Sequence, residues 1–368
     1  MRLATLIFLA LAAPLPAAPR ADISEQLARI LAGSKVPALA AAAVVKDEIV
    51  AAGATGVRKA GRKTVVTVED KFHIGSNTKS MTATLAAILV REKKIGWDTT
   101  IDESFRGMKI HPEFSKTTLE QLLSNTGGFP RDVPAKDWTR LWQLKGPPVR
   151  HREGLAKIAL AWEPAYPPGK GYQYSNTGFA LGGAMLERAA RKSYEDLLTK
   201  YVFKPLQMSS AGFRAPGKNG SLTQPLGHRP DPKSGELTPI DPEPSGDNPN
   251  AIAPAGLVHC SIIDHARYAR AHLGHGPRGF LTTRELEFLH RPRRQGESYA
   301  LGWGVDTKPW AQGPALNHTG SNTMWFSVIW LAPNRDFAAV AACNSGAQEG
   351  FQKCDQAVQL LIKLYLQE

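Results

Sequence analysis

Gly75-Ser76-Asn77-Thr78-Lys79-Ser80 runs straight into Met81, Leu85, Ala86, Ile88, Leu89 and Val90, and the reading of the chain grows outward from this segment. The apolar run predicts a buried helix with Ser76 at its first turn. Residues three apart share one helix face, so the Lys79 amine lies one turn from the Ser76 hydroxyl. A serine beside an amine that can take its proton is the minimum kit for a nucleophilic serine hydrolase. The helix N-terminus adds partial positive charge where an oxyanion would form. On its own the pattern is weak, because about one Ser-x-x-Lys is expected by chance in a chain of this composition.

The flanks of this segment set the architecture. Ile23 to Leu31 has apolar residues at helical spacing. Ala38 to Val45 and Ile49 to Gly53 read as strands joined by the turn Lys46-Asp47-Glu48. From about residue 98 to 290 the pattern is helical, broken by Pro/Gly-rich loops. Thr118-Leu119-Glu120-Gln121 fits a capping box, Gly178 to Ala190 a strongly apolar helix, and Ile262 to Leu273 another helix. Ala215 to Gly256 is dense in Pro, Gly and Asp and reads as a long loop on a site rim. Strand character resumes at Tyr299 to Val305, then at Trp325 to Leu331 and Phe337 to Cys343, and Phe351 to Leu366 is a closing amphipathic helix. The expected fold class is therefore α+β. Both chain ends form an antiparallel sheet flanked by helices, and a large, mainly helical domain is inserted. The expected divisions are a leader at 1–21, a sheet domain from 22–78 and 295–368, and the helical insert at 79–294, with the site at their interface.

The leader is read from Arg2, then the apolar stretch Leu3 to Ala13, then small residues and prolines up to Ala21. That stretch is too short to span a bilayer and resembles an export signal, so a periplasmic or secreted protein with no transmembrane segment after processing is expected. The formal net charge is +12, with basic residues scattered and densest at Arg291-Pro292-Arg293-Arg294. Export and the absence of a recognition motif argue against nucleic acid as a partner. Cys260, Cys343 and Cys354 are odd in number and fit no zinc spacing, so buried free thiols and no metal are expected.

Two more segments place polar residues in order after Ser76: Tyr174-Ser175-Asn176 before an apolar helix, and His318-Thr319-Gly320-Ser321-Asn322-Thr323 before a strand. By chance a Tyr-x-Asn is expected about 0.2 times and a His-Thr-Gly about 0.05 times in such a chain. With these in place the chain resembles the serine β-lactamase and penicillin-binding DD-peptidase superfamily. The resemblance is to the branch of class C β-lactamases, DD-carboxypeptidases, D-aminopeptidases and related esterases. It covers nearly the whole chain after the leader, including Ser124-Asn125-Thr126-Gly127-Gly128, Pro254-Ala255-Gly256-Leu257 and Gly302-Trp303-Gly304.

The resemblance implies an acyl-enzyme on Ser76, with Lys79 or Tyr174 as the base and Tyr174 also relaying protons. It implies that Asn176 binds Lys79 and a substrate amide, and that the backbone N–H groups of Ser76 and Ser321 form the oxyanion hole. Neither a cofactor nor a metal is implied. The expected partner is a small-molecule or peptide substrate, such as a cell-wall peptide; oligomeric state is not indicated. His318 stands where many β-lactamases have lysine, which replaces a permanent cation by a group often neutral near pH 7. Thr319, Ser321 and Thr323 still offer hydroxyls to a carboxylate, along with the Gly320 backbone. No Ser-Asp-Asn is present, which argues against class A. Asn125 is assigned to packing. Peptide or ester cleavage is thus expected ahead of β-lactam hydrolysis, and the alternative from another class is a non-catalytic pseudo-hydrolase that binds peptidoglycan peptides.

Overall fold

The computed structural model describes residues 20–244, 246–294 and 296–366. Most of the expected leader lies outside the described residues. Among the described residues no helix is long and apolar enough to cross a membrane.

Seven strands form the main sheet, in the order Ala21–Asp22, Glu48–Gly56, Ala38–Val45, Phe337–Cys343, Phe326–Ala332, Gly313–Ser321, Gly304–Lys308. The two ends of the chain meet at its centre, where Ala38–Val45 pairs antiparallel with Phe337–Cys343. The class is α+β as expected, with one departure: the short edge strand Ala21–Asp22 runs parallel to its neighbour.

The two central strands read Ala-Leu-Ala-Ala-Ala-Ala-Val-Val and Phe-Ala-Ala-Val-Ala-Ala-Cys, and nearly every residue in them is buried. Alternate residues of a strand point to opposite faces. Ala38, Ala40, Ala42 and Val44 accordingly join one core, and Leu39, Ala41 and Ala43 the other. Small side chains on both faces let helices approach closely on each side. Ser24–Leu31 and the closing helix Gln348–Leu366 cover one face through Leu27, Ala357 and Leu361. Ile262–Arg270 covers the other, through Ile262, Ala266 and Ala269.

Between the sheet-forming ends the chain is mainly helical. A second, three-stranded sheet joins Lys71–His73 to Val258–Ser261 and Gly212–Phe213. It carries the backbone straight into the Ser76 turn. The expected long loop 215–256 is more ordered than its composition suggests. It holds the hairpin Gly227–Pro230/Leu237–Ile240, tied to the main sheet where the His228 amide donates to the Met324 carbonyl at 3.0 Å. Cys260, Cys343 and Cys354 are buried free thiols.

Near the C-terminus the strands differ from expectation. Tyr299 to Gly302 forms a tight turn, and the strand begins only at Gly304. A further strand, Gly313–Ser321, carries His318 and its neighbours. Gly-Pro at its start and Asn and Gly within it give low strand propensity. Pairing on both sides makes it a strand regardless, Leu316 facing Leu331 on one side and Val305 on the other.

Candidate active site

Ser76 sits in a single 3-10 turn, Gly75–Asn77, that leads into the helix Thr78–Arg91. The side chains from Thr78 to Leu89 are all buried, as the unbroken apolar pattern requires, whereas Ser76 is half-exposed. The Thr78 hydroxyl stitches the turn together, donating to the Gly75 carbonyl at 2.7 Å and accepting from the Val258 amide at 3.1 Å.

Lys79 is fully buried one turn along. Its Nζ lies 3.1 Å from Ser76 Oγ, 2.7 Å from Asn176 Oδ1 and 2.7 Å from the Ala255 carbonyl oxygen. The Tyr174 ring packs over it, with Nζ 4.6 Å from the ring centroid. Burial holds the ammonium pKa well below that of an ordinary lysine; nearby Asp132 opposes this and Arg131 reinforces it. The geometry suits the neutral amine. Its two hydrogens go to the Asn176 and Ala255 oxygens, and its lone pair then faces Ser76.

Tyr174 precedes the helix Asn176–Ala190, which is capped by Ser175 Oγ accepting from the Gly178 amide at 3.0 Å. The Tyr174 hydroxyl pairs with the Ser76 side chain, yet burial still drives the phenol pKa above its ordinary value. Desolvation outweighs the lowering from the Ser76 hydrogen bond and the nearby Arg131 cation. Asn176 meets Lys79 as expected, but its Nδ2 donates to Asp132 Oδ1 at 2.7 Å.

The third segment closes the site from the sheet side. His318 is buried, and its ring pKa is pushed down to about 3, chiefly by burial and then by Lys79, so the ring is neutral at pH 7. Its Nε2 lies 3.1 Å from the Tyr299 hydroxyl and its Nδ1 2.9 Å from the Thr319 carbonyl oxygen. Thr319 and Thr323 are exposed on the rim, and Ser321 is half-exposed. Gly320 and Gly75 are required by close approach. A Cβ on Gly320 would overlap the Ile74 carbonyl oxygen and come within 2.8 Å of the Ser76 amide nitrogen. A Cβ on Gly75, where φ is +52°, would overlap the Ser321 amide nitrogen. The Ser76 and Ser321 amides are thereby brought side by side.

All nine residues expected from the sequence thus lie in or beside one cleft. Four others were not read as part of it. Ala255 supplies a carbonyl to Lys79, Asp132 meets Asn176, and Tyr299 meets His318. Asn125 packs as expected but also positions the Tyr174 segment. Its backbone is left-handed at φ 62°, its side-chain oxygen accepts from the Ser175 amide at 2.9 Å, and its carbonyl accepts from the Gln173 amide at 3.0 Å. The Ser124-Asn125-Thr126-Gly127-Gly128 stretch was visible in the sequence, but no local pattern tells which segment such a turn supports. Among the described residues no cluster of His, Cys, Asp or Glu is arranged to hold a metal ion.

Residues 23–362 match the protein family described as Beta-lactamase. The chain belongs to that family. Penicillin-binding protein 4 of Amycolatopsis lactamdurans is 28% identical over 332 residues, covering 85% of this chain and 82% of its own. Unguisins hydrolase ungD' of Aspergillus campestris (strain IBT 28561) is 26% identical over 302 residues, covering 77% of this chain. The chain spans only 54% of that relative's length. Among solved structures, a beta-lactamase/D-alanine carboxypeptidase from Pseudomonas syringae superposes with a TM-score of 0.73 at 19% identity, covering 91% of this chain and 97% of its own. An octameric penicillin-binding protein homologue from Pyrococcus abyssi gives a TM-score of 0.74 at 22% identity, covering 93% and 78%. The β-lactamase/penicillin-binding protein fold is thus shared by this chain, and the family is one of serine hydrolases.

Proposed function

We propose that the protein is an exported serine hydrolase that cleaves an amide of a D-amino-acid peptide, or an ester, through an acyl-enzyme on Ser76. The observation that carries this reading is the buried Lys79 amine, held 3.1 Å from Ser76 Oγ with its pKa lowered. The neutral amine takes the Ser76 proton as Oγ bonds to the substrate carbonyl carbon. The Ser76 and Ser321 amides receive the oxyanion. The raised pKa keeps Tyr174 protonated, so its hydroxyl hands a proton to the departing nitrogen or oxygen as that bond breaks. The Lys79 ammonium returns the Ser76 proton to the Tyr174 phenolate, whose ring packs over Nζ, and water then cleaves the acyl-Ser76 ester, giving one proton to the base and the other back to Ser76 Oγ.

The neutral His318 favours peptides and esters over β-lactams. No permanent cation stands on the third segment to receive a β-lactam carboxylate, and the rim there is hydroxyls and aromatic edges from Tyr172, Tyr174 and Tyr299.

Labelling by a fluorophosphonate or a fluorescent penicillin tests the reading. Wild type is expected to label at Ser76 and Ser76→Ala to remain blank. A folded wild-type protein as blank as the variant with both probes would sink it. Turnover of p-nitrophenyl esters, a D-Ala-D-Ala peptide and nitrocefin, measured side by side, then ranks the substrate classes, with nitrocefin expected last.

Gly320→Ala tests the oxyanion arrangement. The added methyl cannot coexist with the Ile74 carbonyl, so the strand end carrying Ser321 must move away from Ser76. Loss of one oxyanion donor typically costs about 100- to 1,000-fold in kcat. Ester turnover is expected to fall by about that factor, and a change of less than about threefold would dissociate Ser321 from the reaction.

A further inference from the structure

A buried carboxylate stands behind the site without taking part in the chemistry so far described. Asp247 lies in the connection that follows the Gly227–Ile240 hairpin and is 3% exposed. An ionised carboxylate out of water is costly unless its oxygens are matched by donors or an opposite charge. Here the contacts come from two places distant in sequence. Asp247 Oδ2 is 2.9 Å from His73 Nε2, an electrostatic contact off the line of a hydrogen bond, and both side chains are sealed from solvent. Asp247 Oδ1 accepts from Asn322 Nδ2 at 3.2 Å and from the Asn248 amide at 2.8 Å.

What these two partners hold is the informative part. His73 Nδ1 accepts from the Gly75 amide at 3.1 Å, so the ring proton resides on Nε2, on the side of Asp247. The ring thereby shapes the turn whose next residue is Ser76. Asn322 follows Ser321 directly, and its Oδ1 accepts from the Met324 amide at 3.2 Å, which folds the backbone just beyond the Ser321 amide. One carboxylate therefore touches the side chain that sets the backbone beside Ser76 and the side chain that sets the backbone beside Ser321.

We propose that Asp247 is a positioning residue that holds the two halves of the oxyanion hole in register, through His73 on one side and Asn322 on the other. This rests on the hydrolase reading above. It gives the hairpin-bearing loop a task in the reaction beyond forming a rim. Asp247 itself touches neither Ser76 nor the cleft.

Asp247→Asn has nearly the same shape but cannot serve both partners. With its oxygen towards His73, its NH2 meets the Asn322 NH2 and the Asn248 N–H. Turned round, its NH2 meets the His73 N–H. One side is lost in either orientation. The expected result is a fall in kcat of at least about 30-fold with KM changed less than threefold, below the full cost of losing a donor. A boronic acid that mimics the tetrahedral intermediate on Ser76 is expected to bind more weakly by the same factor. A purely structural role would not link those two losses while sparing KM. Asn322→Ala, which cuts only the Ser321 side, is expected to show a smaller loss of the same kind. The reciprocal Asp247→Asn/Asn322→Asp variant restores a carboxylate-amide pair but leaves the Asn248 N–H and the Gly246 carbonyl unmatched, and is expected to recover only part of the loss, at least about threefold over Asp247→Asn.

Wild-type labelling at Ser76 is the control that separates this inference from the hydrolase reading, whose failure would show there. With wild type labelled, either of two results overturns the role of Asp247. One is kcat within threefold of wild type in both single variants. The other is a kcat loss without the matching loss of boronate affinity. If Asp247→Asn does not fold, Asn322→Ala and the reciprocal variant carry the same test.

Discussion

Lys79→Met is expected to lower kcat/KM for an ester or peptide substrate about 10⁴-fold, the upper end of the range for removing a general base. Methionine keeps the length and the apolar stem, so the packing against the Tyr174 and Phe179 rings survives. The proton acceptor at 3.1 Å from Ser76 does not. The pH profile of the wild type follows from the same group. In the proposed mechanism Lys79 acts when neutral, and burial lowers its pKa, so kcat/KM is expected to rise as pH climbs through that lowered pKa and to level off above it. An ordinary lysine would place the rise near pH 10.5. A profile still climbing there, or a Lys79→Met variant within tenfold of wild type, would take the role of base away from Lys79. Burial of the variant is checked by its thermal unfolding, since the Asn176 and Ala255 oxygens each lose a donor.

Tyr174→Phe is the second large effect, at least about 100-fold in turnover, as for loss of a general acid. The ring stays over Lys79 and only the hydroxyl beside Ser76 disappears. Because burial raises the phenol pKa, Tyr174 remains a proton donor throughout the neutral range, and no loss of wild-type activity from its ionisation is expected below pH 10. The variant is expected to be most impaired on amides, whose nitrogen must be protonated to leave, and less on activated esters such as p-nitrophenyl acetate. Equal loss on both, or an effect under about threefold, would remove Tyr174 as the donor to the leaving group.

The sequence is legible where local chemistry and burial agree. The alanine-rich strands, the Ser76 helix and the closing helix declare themselves by periodicity because each packs one or two apolar faces. The capping box at Thr118 and Gln121 is local by nature and forms as read. The Gly313–Ser321 strand is the opposite case. Its residues are chosen for what they do beside Ser76, and only neighbours remote in sequence make it extended. The Ala215 to Gly256 stretch hides its hairpin and Asp247 for the same reason: proline, glycine and aspartate carry no period, and the contacts that order them lie at His73, Asn322 and Met324. The three site segments were readable as motifs. The contacts of Ala255, Asp132 and Tyr299 were not, since a backbone carbonyl, a lone carboxylate or a neighbouring hydroxyl does not declare its partner in the sequence.

The pairing of Ala38–Val45 with Phe337–Cys343 has a consequence for synthesis. A chain emerging from the ribosome presents Ser76 early, yet the strand that brings Ser321 against it arrives only after most of the sequence has been made. Until both ends close the sheet, the serine has its amine neighbour but no partner for the developing negative charge. That half of the candidate site therefore forms only with the long-range closure of the sheet, the slowest kind of contact for a chain to make.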